Sequence, residues 1–353
     1  MNTEYFSTGY EQARCRFLTA ARAAGARIEC FPIDSTHENS LSLDVAVIGG
    51  ESNRALIVTS GVHGVEGFFG SAVQLAILDK QAGMANDADI KVVLIHAVNP
   101  YGFARLRRFN EDNVDLNRNF MLNSENYSGA PDGYHQLNRF LNPSSPPGFE
   151  LFRLKALWNI WRYGMGALKE SVAAGQYEYP EGIFYGGAKP CQSTALIQNN
   201  IEAWVGQTEK ILHLDIHTGL GPYSTFKLLL SDSADSKNYR WFVDTFGESV
   251  VESLVSGATA YPVHGHFGSW MRNRFKQRDF RFAGVEFGTY DVIRVLGAIR
   301  AENRAYHYAQ PGSGIADKAG QELLECFCPS DSKWRNSVLA AALDLVEHGR
   351  IAL

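Results

Sequence analysis

In the run Gly61-Val62-His63-Gly64-Val65-Glu66-Gly67 a histidine and a glutamate are separated by two residues, and His217 follows an apolar stretch far downstream. Two imidazoles and one carboxylate are the ligand set of a catalytic zinc site that keeps one position open for water. One ordered turn can aim His63 and Glu66 at a single ion, and a remote strand end can deliver the third ligand. The spacing differs from the helical HExxH motif, which is absent from the chain. A plainer alternative stands beside this one. A His-x-x-Glu pair arises by chance, and a carboxylate near a helix start gains roughly 0.3–1 kcal/mol with no metal at all. His217, set between an apolar strand and the glycines Gly219 and Gly221, tips the balance towards metal.

Other chemistry-bearing residues cluster nearby in sequence. His213 and Asp215 share one side of a strand with His217. His213 lies deep in that strand and reads as a hydrogen-bonded core histidine, while Asp215 either orients a ligand or caps the following loop. His264 and His266 form a rival metal pair whose loop setting equally suits hydrogen bonding or substrate contact.

The elements that must position these groups follow from periodicity. Gly9 to Ala24 reads as a helix ended by Gly25, and strands are expected at Ala26 to Pro32, Leu43 to Ile48 and Ala55 to Thr59, the last two joined by a hairpin turn at residues 49–53. A helix from Phe68 to Lys80 and a strand from Lys91 to His96 complete a strand, helix, strand order that favours a mainly parallel sheet. The His63 turn then lies after the carboxyl end of a strand, where open α/β sheets keep their chemistry. Residues 121–148, rich in Asn, Ser, Pro and Gly, read as an irregular excursion that forms a functional wall or a mobile flap. Phe149 to Ala174 is helical, with Gly164 and Gly166 as weak points; strands follow at Ile211 to Ile216, Phe226 to Leu230 and Arg281 to Phe287, and helices at Asn238 to Leu254 and Trp334 to His348. No repeat or linker divides the chain, so residues 1–353 are expected to form a single catalytic domain with an irregular and helical insertion at about 121–190.

Composition narrows the function classes. The 353 residues are 45% hydrophobic and 20% charged, typical of a folded chain with a large core. A net charge of -5 gives no attraction for nucleic acid, and there is neither a GxxxxGK[ST] loop nor a GxGxxG after a strand. Trp158, Trp161 and Arg162 fall at helical spacing and read as packing and solvent-facing positions. The N-terminus lacks the apolar core of a signal peptide and no stretch reaches the roughly 20 apolar residues of a membrane span, so a cytoplasmic protein without membrane partners is expected. Five scattered cysteines suggest neither a disulfide framework nor a zinc knuckle.

Five ordered segments, GVHGVEG at 61–67, NPYGF at 99–103, VDLNRNF at 114–120, LDIHTG at 214–219 and VEFGTY at 285–290, resemble the zinc carboxypeptidase superfamily. The likeness extends to its relatives that hydrolyse N-acyl amino acids, aspartoacylase and succinylglutamate desuccinylase. It implies an α/β fold with a mixed, mostly parallel central sheet flanked by helices, the zinc carboxypeptidase-like (phosphorylase/hydrolase-like) architecture. It further implies His63, Glu66 and His217 as zinc ligands, Glu286 as catalytic base, Asp115 as orienting partner of His63, and Asn117 and Arg118 as a clamp for a substrate carboxylate. Arg suits that clamp because its planar fork donates two charge-assisted bonds to a carboxylate. The family's oxyanion-stabilising arginine corresponds to Arg108, with Arg105 and Arg107 competing, and its substrate-proximal tyrosine to Tyr261, ahead of Gly268-Ser269. Taken alone, Glu286 could instead form a buried ion pair with an arginine between Arg272 and Arg281.

Two departures from the family pattern bear on the substrate. The C-terminal end reads as helical where aspartoacylase adds a β-domain, and the 121–190 region includes Phe184-Tyr185-Gly186-Gly187, whose glycines allow close backbone approach at the cleft. The expected activity is zinc-dependent hydrolysis of an amide bond adjacent to a free carboxylate, in a small peptide or, alternatively, an N-acyl amino acid. A non-catalytic peptide or carboxylate binder is the reading from a different class.

Overall fold

The runs Arg54–Ser60, Lys91–His96 and Lys210–Thr218 are buried along nearly their whole length, as strands covered on both faces must be. The computed structural model describes residues 2–34, 41–82, 89–255 and 264–353. In chain order its elements are α1 (Tyr10–Ala23), β1 (Arg27–Pro32), β2 (Ser42–Ile48), β3 (Arg54–Ser60), α2 (Gly67–Ala82), β4 (Lys91–His96), α3 (Pro100–Ala104), α4 (Asp132–Leu141), α5 (Phe152–Ala173), α6 (Gln192–Val205), β5 (Lys210–Thr218), β6 (Phe226–Leu230), α7 (Lys237–Phe246), β7 (Val251–Ser253), α8 (Phe267–Arg274), β8 (Asp279–Phe287), α9 (Val292–Tyr308), α10 (Gly314–Phe327) and α11 (Ser332–Ala352).

The strands form one sheet in the order β1-β2-β4-β3-β5-β8-β6-β7. Its centre, β4-β3-β5-β8, is parallel, and antiparallel pairs flank it on both sides. This is the mixed, mostly parallel α/β sheet expected. Side chains alternate between two cores with period two. Leu56 and Val58 of β3, Leu212, Leu214 and Ile216 of β5, and Val285 and Phe287 of β8 meet α1, α2, α7 and α11 on one face. Ile57, Ile211, Phe280 and Phe282 meet α6 and α8 on the other. The same alternation puts His213, Asp215 and His217 together on the α6/α8 face. α2 is buried all round from Gly67 to Leu78, so it runs through the interior instead of along the surface.

Three local expectations are overturned. β2 and β3 do not form a hairpin; both pair with β4, which lies between them and is antiparallel to β2 and parallel to β3. β4 is buried over its whole length and fills a central slot that a tight turn at residues 49–53 would have closed. The 121–148 excursion contains α4, whose Tyr134, Leu137 and Leu141 form a buried stripe at helical spacing. The helix expected to reach Leu254 stops at Phe246, because Gly247 takes φ 89° and turns the chain into β7. α5 is interrupted at Gly164, φ 84°, one of the two weak points expected there. Among the described residues no helix is long and apolar enough to cross a membrane.

Candidate metal centre

β3 has β4 on one side and β5 on the other, so the chain reverses its direction of travel across the sheet at β3. Crevices beyond the carboxyl ends of strands at such a switch are the usual ligand sites of open α/β sheets. His63 follows the end of β3 and precedes a 3₁₀ turn, Gly64–Glu66, that runs directly into α2. The turn is tied to the segment after α3 by backbone bonds from Gly64 to Arg108, 3.1 Å, and from Val65 to Arg107, 2.8 Å. His217 lies near the end of β5, in register with Glu286 of β8.

The folded chain brings the three candidate ligands together. One donor atom from each of His63, Glu66 and His217 lies within 4.8 Å of the others, and all three residues are buried. His63 Nδ1 is 2.8 Å from Glu66 Oε1 and His217 Nδ1 is 2.9 Å from Glu66 Oε2. Each ring turns its other nitrogen to a carboxylate, His63 Nε2 to Asp115 at 3.2 Å and His217 Nε2 to Asp215 at 2.7 Å. This donor set fits a divalent metal. A carboxylate on the outer nitrogen holds the ring proton there and leaves the Nδ1 lone pair facing inward, as histidine ligands of zinc require.

Asp215, whose role the sequence left open, is therefore the orienting partner of His217, and its Oδ1 accepts a hydrogen bond from Thr59, 2.5 Å. Burial opposes charge on His217, but Asp215 and Glu66 outweigh it and raise its pKa well above the usual histidine range. Burial likewise pushes the Glu66 carboxyl up, and the two histidines overcome it and bring it to about 2. The surroundings of this point favour positive charge, which a bound metal cation also supplies.

Asp115 caps a second 3₁₀ turn, Leu116–Arg118, by accepting from Asn117 N. Burial raises its pKa, yet Arg108 and His63 hold it well below the carboxylate range. Arg108 donates through Nε to Asp115 Oδ2 at 3.1 Å, and its Nη1 is 3.6 Å from Glu66 Oε1. Its Nη2 also lies 2.7 Å from His63 Nε2. That nitrogen can donate to Asp115 or accept from Arg108, not both, and ligation through Nδ1 selects the first. The competing arginines stand elsewhere: Arg105 is exposed, and buried Arg107 is bound to Glu302 at 2.7 Å and Asn113 at 2.8 Å.

Arg118 is 8% exposed, and among the described residues its guanidinium donates a hydrogen bond only to the Asn117 carbonyl, 2.7 Å. Its Nε has no hydrogen-bond partner, and it forms no ion pair with a described carboxylate. Asn117 Oδ1 accepts from Phe267 N, 3.1 Å. Tyr177, which the sequence gave no reason to single out, donates to the Arg118 carbonyl at 2.8 Å. Gly186 approaches that carbonyl so closely that a Cβ there would lie 2.8 Å from it.

Glu286 accepts from Leu220 N at 2.9 Å and forms no ion pair with Arg272, Arg274, Arg278 or Arg281. Burial, then the neighbouring Glu66 charge, push its pKa up to about 7. The rival pair separates. His264 is exposed beside Glu125, and His266 caps α8, its Nδ1 accepting from Ser269 N. His213 is a core histidine, 3.0 Å from Thr59 Oγ1 and edge-on to Phe282. Tyr261 lies outside the described residues.

The fold is that of the carboxypeptidases. Carboxypeptidase A from Helicoverpa armigera is similar at 13% identity and TM-score 0.50, covering 96% of this chain and 75% of its own. A metallo-carboxypeptidase from Burkholderia cenocepacia matches at 12% identity and TM-score 0.48, over 97% of this chain and 71% of its own. Bovine thrombin-activatable fibrinolysis inhibitor matches at 13% and 0.46, over 96% and 98%. At these identities the likeness is one of fold. Residues 6–341 match the family described as protein of unknown function, DUF2817, and the chain belongs to that family. No curated protein matches its sequence.

Proposed function

We propose that the chain is a zinc-dependent hydrolase that cleaves an amide bond beside a free carboxylate, as carboxypeptidases do. The observation that carries this reading is the convergence of both Nδ1 atoms on Glu66 while Asp115 and Asp215 hold the outer nitrogens. His63, Glu66 and His217 would hold the zinc, which when bound acts as a Lewis acid and lowers the pKa of water from near 16 towards about 7. Glu286 takes a proton from the attacking water and returns it to the leaving nitrogen, and a pKa of about 7 suits both transfers. Arg108 faces the negative charge that grows on the carbonyl oxygen, a contribution of roughly 3–4 kcal/mol in comparable sites.

The carboxylate requirement rests on Arg118. A guanidinium buried without an ion-pair partner in contact is costly, and an anionic substrate group would complete it. Asn117 has committed its oxygen to Phe267 N, so its amide nitrogen is the end that can donate to the same carboxylate. The chain as a whole acts as one catalytic domain, with 121–190 an insertion at the rim of the site.

The test measures zinc in the wild type and in His217→Ala, then screens both against short peptides with free or amidated C-termini and against N-acyl amino acids. Stoichiometric zinc, lost in the variant, and hydrolysis that requires the free carboxylate are expected. Zinc retained unchanged in His217→Ala sinks the ligand set, and indifference to amidation sinks the clamp. Turnover of N-acyl amino acids in preference to peptides assigns the same chemistry to a deacylase.

A further inference from the structure

Helix α5 is apolar on two faces. One packs inward, with Phe152 stacked on Phe140 of α4 at 5.5 Å and Ala156 buried. On the other, Leu154, Leu157, Trp158 and Trp161 recur at i, i+3, i+4 and i+7 and are 61%, 54%, 50% and 81% exposed. Phe149 and Leu151, in the approach to the helix, extend the stripe at 98% and 57%. With ~200 Å² for each aromatic side chain and somewhat less for each leucine, the open apolar area is on the order of 700 Å², above the few hundred that monomers usually leave uncovered.

The charges beside the stripe are cationic. Lys155 and Arg162, seven residues apart, line one edge, and Arg153, paired with Asp291 at 3.2 Å, stands on the other. At the N-terminal end lies a cavity of about 730 Å³ whose lining includes Arg139, Lys155, Arg300 and Arg304. Glu150, the one carboxylate among its lining residues, is shared by Arg300 at 2.7 Å, Arg304 at 3.0 Å and Lys155 at 2.8 Å. Four cations against one anion leave a local surplus in a chain whose net charge is -5.

This charge pattern selects the occupant. A helix that pairs with its own copy about a perpendicular two-fold axis sets each edge against the identical edge. The edge that carries Lys155 and Arg162 would then face its own copy, cation against cation. An anionic lipid surface satisfies that edge and the cavity's surplus cations at once, and exposed Trp, Leu and Phe flanked by Lys and Arg are what an in-plane interfacial helix inserts at the headgroup boundary. We propose that α5 and its lead-in from Phe149 dock the protein on an anionic membrane surface. The absence of a spanning helix bears on crossing a bilayer, not on lying against it.

The location gives the contact a consequence for the candidate site. Arg153 at the start of α5 pairs with Asp291, five residues beyond Glu286, at 3.2 Å. Just past its end, Gly175 packs on the Arg118 side chain. The two ends of α5 thus touch the segments that carry Glu286 and Arg118.

Flotation of the intact protein with phosphatidylcholine vesicles, with and without phosphatidylserine, tests the proposal. Binding is expected only with phosphatidylserine, weakening as salt is raised and falling roughly tenfold or more in a Leu154→Gln, Trp161→Gln double variant. Both positions are exposed, and an unchanged melting temperature verifies that the variant is folded. No flotation with anionic vesicles, or equal flotation of wild type and variant, overturns the proposal. So does a wild-type dimer that fails to float and that the same variant dissociates, which gives the face to a second copy. None of these readouts involves hydrolysis, so their failure is distinguishable from failure of the hydrolase reading.

Discussion

Glu286 and Arg118 are the residues whose surroundings make the sharpest demands. To serve as the proposed base Glu286 must be ionised, and burial with the nearby Glu66 charge raises its pKa to about 7. A bound cation would offset the Glu66 charge, so the acid limb of kcat/KM should fall at or below about pH 7, with activity rising as pH rises through it. Glu286→Gln should lower kcat by roughly 10²- to 10⁴-fold with zinc content unchanged; steady-state kinetics beside metal analysis reads both, and full activity in the variant would remove Glu286 from the mechanism. Arg118→Ala should weaken kcat/KM for free-carboxylate substrates by roughly 10- to 100-fold, the value of a hydrogen bond to a charged group. Amidated substrates should show no comparable loss.

The turn that carries the candidate ligands His63 and Glu66 depends on a backbone contact as much as on its side chains. A Cβ at Gly64 would lie 2.1 Å from the Gly102 carbonyl carbon of α3, so Gly64→Ala must push the turn away and move His63 and Glu66 together. Zinc affinity should fall by at least ~10-fold and the melting temperature should drop; zinc titration that matches wild type would show that the contact does not set the site. This contact was not legible in the sequence, although the candidate ligands it positions, which the fold does bring together, were. His63, Glu66 and His217 carried a signal because donor types and flanking glycines are local. Separating Arg108 from Arg105 and Arg107 needed the chain's path around Asp115, and the part of Asp215 depended on where the His217 ring turned. Lys91–His96 and Phe226–Leu230 were read to the residue, and the buried strands Arg54–Ser60 and Lys210–Thr218 to within two. The supposed hairpin failed because a turn signal says nothing about which later strand enters the sheet between its arms. α6, α9 and α10 went unread because polar and charged residues interrupt their apolar stripes, as Arg300, Glu302 and Arg304 do when buried in α9.

At the scale of the whole molecule, His96 ties the sheet to two helices of one core. It is fully buried in β4, stacked on Phe17 of α1 at 4.5 Å, with Nε2 3.0 Å from Ser71 Oγ of α2. Burial, only partly opposed by the Asp44 charge, lowers its pKa to about 4. The unfolded chain holds its proton up to a pKa of about 6.5. Between these values the unfolded state binds the proton and the folded state does not, so stability rises with pH across that window. The contribution is complete above about pH 6.5 and is lost as pH falls to about 4, amounting to ~3 kcal/mol if His96 acts alone. Because the ring contacts α1 and α2 from the middle of the sheet, charging it should loosen the whole α1/α2 core and not a local loop. Urea midpoints of wild type and His96→Gln at closely spaced pH values separate this from general acid sensitivity. The variant is expected to be less stable at neutral pH yet to show a shallower fall between pH 6.5 and 4, and parallel slopes for the two proteins would show that the histidine is not the group being titrated.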